Sequence, residues 1–367
     1  MKKKSRYILI VAMVVSLMLA ACSGDDKASS DGSAEGDFSG KTLNLLVWEG
    51  MADEKIISDF EKEYDVTVNA TYFGSSDELM AKLKSGGGST YDIISPSGDL
   101  SGYLVASDML EPLNVENYKN YSDINEDLIL EDVQKDGDVY GVPYVWGPNY
   151  LIYDGDVIKE APTSWSALGN PEFAGKVSLP DSIDNIYIVG QLMGLNKGDK
   201  TAIYNMSEEQ LQEAKKKLGD FEPPNRKILG NGGGLKDFFS NKKDFVGVGW
   251  PLTVKQVNDT GRNLKWVIPE EGTTGWMDNL MIVKGSKNKE LAELYLDYAI
   301  SPEIQAITAE VTNYAPASVK AAEFMSDDLQ EATHIHEMED MFGKIDFWQY
   351  VEDRARYNEI WTEVKTN

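Results

Sequence analysis

Residues 42–95 read TLNLLVWEGMADEKIISDFEKEYDVTVNATYFGSSDELMAKLKSGGGSTYDIIS, and the alternation of patterns within them decides the fold class. The run 42–48 is short, apolar and of strand type. In 53–64, Ile56, Ile57, Phe60 and Tyr64 recur on one helical face. Residues 66–73 are rich in β-branched and aromatic side chains, which predicts a second strand. Ser75-Ser76-Asp77-Glu78 has the spacing of a capping box. A helix therefore opens there with Leu79, Met80 and Leu83 inward, and Gly86-Gly87-Gly88 stops it. Residues 91–95 give a third strand. Right-handed crossovers joining strand, helix, strand, helix and strand make a parallel sheet.

Working outward, a second run of the same kind follows. Residues 176–179 predict a strand and 183–193 an apolar helix, and Ser207-Glu208-Glu209-Gln210 caps another helix. Strands are expected at 245–249 and 264–268, and at 278–283 a strand that returns to the first sheet. Residues 288–300 and 302–311 read as helices, the second started by Ser301 and Pro302, and 347–364 is helical again. Two α/β units result, with the chain crossing between them more than once. No internal repeat is visible.

The N-terminus carries a separate signal. Lys2, Lys3, Lys4 and Arg6 form a positive segment, and 7–19 is an apolar run too short to span a bilayer. It ends in Leu19-Ala20-Ala21-Cys22, small residues before the only cysteine of the chain. This pattern resembles the lipobox of bacterial lipoproteins, which implies cleavage after 21 and lipidation of Cys22. The alternative is a plain export signal followed by an ordinary cysteine. Two or more acyl chains on one residue make a stable anchor where one is marginal. A single cysteine excludes an internal disulfide, so an exported domain must rely on its core. Residues 23–40, SGDDKASSDGSAEGDFSG, are a polar tether of flexible composition.

The 367 residues carry 61 acidic and 35 basic side chains, a formal charge of −26, and four of the basic ones lie in the leader. Such a surface repels phosphate backbones and disfavours nucleic acid. It attracts cations over long range, or serves solubility alone. Enzyme chemistry has little support. His334 and His336 are the only histidines, two apart in an acidic stretch, and read as solvated side chains rather than a metal site. No GxSxG, HExxH or P-loop pattern is present, and the glycine runs at 86–88 and 232–234 lack a Walker lysine and hydroxyl. No cofactor and no metal are expected.

In open α/β sheets, ligands bind beyond the carboxyl ends of strands. Trp48-Glu49, Pro96-Ser97-Gly98-Asp99 and Trp250-Pro251 sit at such ends, and Trp276-Met277-Asp278 lies where the chain passes between units. Aromatic faces beside carboxylates suit an organic cation, because the ring quadrupole attracts it and the carboxylate neutralises it. Any one of these tryptophans alone reads more readily as a cap on the core, and it is their number at strand ends and crossings that points to a ligand.

With these residues in view, the chain from 42 onward resembles the bacterial spermidine/putrescine-binding receptors of ABC importers. The matching stretches are LNLLVWEG (43–50), AKLKSGG (81–87), YDIISPS (91–97), VPYVWG (142–147) and SWSALGNPEFAGKVSL (164–179). VGVGW (246–250), WVIPEEGTTGWMDNLMIVKGSKNKE (266–290) and TNYAPAS (312–318) complete the set. The resemblance implies a two-lobed α/β fold of periplasmic-binding-protein type, with a hinge and a ligand cleft between lobes. Carried over by position, the pocket aromatics fall on Trp48, Trp250, Trp276 and Tyr314, the central carboxylate on Asp278, a serine on Ser97 and a C-terminal glutamine on Gln349. The sequence also departs from the family. A tyrosine after the first tryptophan is Met51, and another after the serine falls on Asp99. The second-lobe carboxylates fall on Ser182 and Asn185, with Asp181 and Asp184 beside them as substitutes. Otherwise the ligand carries fewer amines.

The expectation is thus a receptor, not an enzyme, that holds a polyamine or related organic cation through Trp48, Glu49, Ser97, Asp99, Asp181, Ser182, Trp250, Trp276, Asp278, Tyr314 and Gln349. It is expected outside the cell, tied to the bilayer through Cys22, and partnered by a membrane permease and its ATPase. Residues 1–21 are expected as signal peptide and 22–40 as tether. Residues 41–147 with 278–313 are expected as one lobe, and 148–277 with 314–367 as the other. The rivals are a same-fold receptor for a neutral solute such as a sugar, a hydrolase using an acidic pair, and a surface interaction lipoprotein without a small ligand.

Overall fold

A computed structural model of the protein describes residues 37–221, 227–229, 232–241 and 245–366. The expected signal segment, Cys22 and the tether up to residue 36 lie outside them. The strands in chain order are β1 (Thr42–Trp48), β2 (Thr67–Phe73), β3 (Ile93–Ile94) and a small hairpin of β4 (Gln134–Lys135) and β5 (Asp138–Val139). Next come β6 (Val142–Pro148), β7 (Tyr150–Asp154), β8 (Val177–Pro180), β9 (Lys227–Leu229) and β10 (Val246–Gly249). The last are β11 (Leu264–Val267), β12 (Thr273–Ile282), β13 (Ala315–Pro316) and β14 (Ile345–Phe347).

The opening stretch folds as its pattern predicts. Leu45, Leu46 and Val47 of β1 are all buried, as a strand covered on both faces requires. The helix Glu54–Tyr64 is capped by Asp53, whose carboxylate accepts from Lys55 N–H, and it buries Ile56, Ile57 and Phe60. Ser75 caps the helix Ser76–Gly86 by accepting from Glu78 N–H. Glu78 in turn accepts from Gly74 N–H at 2.8 Å, one residue before the position a capping box uses. Gly88 is needed for packing, since a Cβ there would lie 2.3 Å from the Lys284 carbonyl.

Two sheets organise the rest. The first has the order β13-β6-β12-β3-β1-β2, with β14 added to β12. β1 runs parallel to β2 and β3, and β12 returns antiparallel to β3 and β6. The second sheet has the order β11-β7-β10-β8-β9. There β7 is antiparallel to β10 and β11, while β8 runs parallel to β9 and β10. The chain passes from the first sheet to the second through Asn149, between β6 and β7, and comes back between β11 and β12. These passages are bonded together. Asn149 N–H donates to the Thr274 carbonyl at 2.8 Å, and Thr273 Oγ1 donates to the Asn149 carbonyl at 2.6 Å.

Several expectations need correction. The return strand begins at Thr273 rather than 278, because Thr273–Gly275 also pair with β14. The expected helix over 347–364 starts only at Arg354: Phe347 closes β14, and Trp348 N–H is taken by the Gly275 carbonyl. Within 314–367, β13 and β14 pair with strands of the first sheet. The helix Arg354–Thr366 belongs with the second. Tyr357 there accepts from Met206 N–H, and Trp361 donates to Asp181 just beyond β8.

Candidate functional site, an aromatic cleft around a buried carboxylate

The carboxyl ends of strands from both sheets converge on a cleft of about 460 Å³. Trp48 closes β1 and Phe73 closes β2; their rings meet at 4.3 Å between centroids. Trp250 follows β10 and precedes Pro251, the first residue of the helix Pro251–Asn258. Trp276 and Asp278 lie two apart on β12, so both project from one face of that strand into the cleft. The register with β6 shifts between Asp278 and Asn279, a bulge of the kind that re-aims side chains beside binding sites. Trp276 packs edge-on against Tyr314, with centroids 5.3 Å apart, and tilts towards Trp348 at 6.3 Å. The benzo side of its indole lies against Gly147, where a Cβ would come within 2.7 Å of the ring.

Asp278 is the chemical centre of this wall. It is 2 % exposed, and its carboxylate accepts from Ser97 Oγ. Ser97 reaches it because the loop after β3 forms a single antiparallel bridge with β12 at this pair. Burial pushes the Asp278 carboxyl well above the usual carboxylate range. The Ser97 hydroxyl and the nearby Trp48 indole oppose that rise, and the negative charge of Asp99 adds to it. The indole N–H of Trp348 is buried with no hydrogen-bond partner among the described residues. Glu49 and Glu78, at the rim, are exposed. Glu78 is already used by Gly74 N–H and by Lys82 at 3.3 Å. From the second sheet the cleft receives Trp250, Leu252, Thr253 and Gln256, so every carboxylate among the lining residues comes from the first.

The structure thus brings Trp48, Glu49, Ser97, Trp250, Trp276, Asp278 and Tyr314 together. Asp99, Asp181, Ser182 and Gln349 are not among the lining residues, and three of them are engaged elsewhere. Asp99, 4 % exposed, pairs with Arg354 and accepts from Ser76 Oγ at 3.3 Å. Asp181 accepts from Trp361 Nε1 and Lys365 Nζ, each at 2.7 Å. The Ser182 hydroxyl faces Asp184 N–H at 3.5 Å, within the turn that opens the helix Asp184–Leu192. Asp184, the other substitute considered, is buried and bonded to Asn149 Nδ2 at 3.2 Å; burial pushes its carboxyl up to about 6. Trp348, the neighbour of Gln349, is the residue that lines the cleft, and Phe73 lines it too. Both escaped the sequence reading; the strand-end rule that selected Trp48 applies to Phe73, whereas Trp348 falls in a stretch whose local pattern is helical.

Comparison with known proteins places the chain in a family. The sequence matches the bacterial extracellular solute-binding protein family over residues 55–337. It is similar to the spermidine/putrescine-binding periplasmic protein of Escherichia coli (strain K12), 24% identical over 330 residues, covering 90% of this chain and 88% of that one. Among solved structures it is similar to a putative spermidine/putrescine ABC transporter protein from Listeria monocytogenes. That match has a TM-score of 0.77 and 26% identity, and covers 88% of this chain and 98% of the other. A lipoprotein of Treponema pallidum shares the fold at a TM-score of 0.76 and 20% identity, covering 89% of this chain and 100% of the other.

Proposed function

We propose, from the premise that this chain belongs to the bacterial extracellular solute-binding protein family, that it captures a polyamine or related organic cation and delivers it to a membrane ABC importer. The relatives it resembles are named for binding and transport, not for catalysis. The observation that carries the choice of ligand is Asp278. A carboxylate held 2 % exposed among aromatic rings is unfavourable in its ionised form until a cation neutralises it. An ammonium group entering the cleft meets that carboxylate and the faces of Trp48, Trp250 and Trp276.

The two sheets form the cores of two lobes, and the bonded passages at Asn149 and Thr273–Thr274 are the hinge between them. Ligand and closed state then stabilise one another, since a cation between lobes favours the arrangement that surrounds it. The lipid anchor at Cys22 and docking onto a permease with its ATPase belong to the same proposal. They are supported by the lipobox-like residues 19–22 and by the relatives' names. A thermal-shift panel of amines, amino acids and sugars tests the reading. Ligand at a hundred times its Kd adds about 2.7 kcal/mol of stability. Stabilisation by sugars and not by any amine would overturn the cation assignment.

A further inference from the structure

Arg354 opens the helix Arg354–Thr366, which packs on the second lobe, yet its guanidinium crosses to the first. There it pairs with Asp99, in the helix that follows Ser97, and lies 3.7 Å from Asp77. The Arg354 side chain is 19 % exposed and that of Asp99 4 %. Asp99 stands two residues beyond Ser97, whose hydroxyl is on Asp278, and its charge is felt at Asp278. Its other partner, Ser76, lies between the cleft-lining residues Gly74 and Glu78. Asp99 is therefore a second buried carboxylate just behind the cleft, and a cation belonging to the protein already occupies it. Asp181, the alternative anchor on the second lobe, is consumed by Trp361 and Lys365.

We propose that Arg354 is an internal cation standing where a second ligand amine would otherwise be held, so that the deep end of the cleft recognises one ammonium group only. The inference rests on the cation-receptor reading and narrows it. The favoured ligand is an organic monocation, or a diamine held at one buried end with its other end at the exposed Glu49. An exposed pair of that kind contributes less than about fivefold in affinity. A second ammonium therefore gains little, and the aromatic walls around Asp278 select for a bulky, weakly hydrated cation. Arg354 acts through Asp99 and is a positioning residue for specificity.

The test compares butylamine with putrescine, matched in carbon chain and differing in one ammonium, by titration calorimetry. On the wild type their affinities should lie within about tenfold of each other. In Arg354→Ala, which frees Asp99 and the space beside it, putrescine should gain about tenfold to a hundredfold over butylamine, the range of one added charge-assisted pair. Arg354→Lys, which keeps a cation on Asp99, should hold the wild-type ratio. So should the double variant Asp99→Asn/Arg354→Gln, which has no carboxylate to free; a diamine gain there overturns the inference. A wild type that prefers putrescine by a hundredfold or more overturns it too, as does a folded Arg354→Ala whose ratio is unchanged. If Arg354→Ala does not fold, the wild-type ratio decides. Should neither amine bind the wild type, the cation reading itself fails and takes this inference with it, a result distinct from binding with the wrong selectivity.

Discussion

Replacing Asp278 by asparagine separates the site's function from its stability. The change keeps the size of the side chain, and the amide oxygen it introduces would still accept from Ser97 Oγ, so the fold has no reason to fail. In the amine complex it removes the only buried carboxylate among the lining residues and leaves a desolvated ammonium without a partner. Breaking a buried pair in this way costs about 3–5 kcal/mol, against ~0–1 for a surface pair. At ~1.4 kcal/mol per factor of ten, the loss exceeds roughly a hundredfold in affinity. The empty protein responds in the opposite direction. Because the folded-state pKa of Asp278 lies above its unfolded value, ionisation penalises folding. That penalty is fully present above the folded pKa, shrinks as pH falls through it, and is absent below the unfolded value of about 3.9. At neutral pH, Asp278→Asn should therefore melt no lower than wild type without ligand, and well below it with saturating amine. Paired thermal melts and calorimetry read both effects. Wild-type amine affinity in Asp278→Asn would refute the reasoning, whatever the family resemblance.

Other expectations follow from the same geometry. An ammonium on Asp278 favours its ionised form, so the bound pKa lies below the raised free one. Affinity should be flat above the free pKa and fall by up to about tenfold per pH unit below it, with proton release on binding. Calorimetry in two buffers of different ionisation enthalpy detects that proton at pH values where affinity is falling, and its absence there would place the amine elsewhere. Trp276→Leu removes a π face that is packed against Tyr314 at 5.3 Å, and should weaken binding by about 0.5–2 kcal/mol. An unchanged Kd would show that the ring only fills the core. Asp181→Asn should leave amine affinity untouched, while the loss of charge facing Trp361 and Lys365 lowers stability by ~1 kcal/mol or less. A tenfold loss of affinity would restore Asp181 to the site.

What the sequence made legible follows from the range of the interactions involved. The parallel opening unit is local: Asp53 and Ser75 cap their own helices, and the buried runs of β1 and β3 announce themselves by composition. The aromatic half of the cleft was legible too, because strand ends converge by topology and Trp48 and Trp250 stand at or beside such positions, whereas Asp278 lies within β12. What escaped depends on partners far away in the chain. Nothing around Asp99 announces that Arg354 will claim it, or around Asp181 that Trp361 and Lys365 will, since those partners arrive with the last helix. Trp348 and the true start of that helix were hidden for the same reason. Ile345–Phe347 becomes a strand only because Thr273–Gly275 is there to pair with it. A local helical pattern lost to a non-local ladder.

β12 joins these observations into one mechanism. Its first residues, Thr273 and Thr274, are bonded to Asn149 at the other passage between lobes, and Trp276 and Asp278 follow on the same strand. The strand is buried along its whole length, so it has little freedom to shift independently of its neighbours. On the proposed reading, any force that an ammonium exerts on Asp278 is therefore applied on the strand that carries the passage, a few residues from it. Trp276 and Trp348 connect the same region to β14 and onward to Arg354. That arginine ties the last helix across the lobes to Asp99. On the proposed reading, an occupied Asp278 in the cleft and a paired Asp99 behind it both favour closure. One of those cations comes from solution, the other is built into the chain, and only the first can report that the cleft is filled.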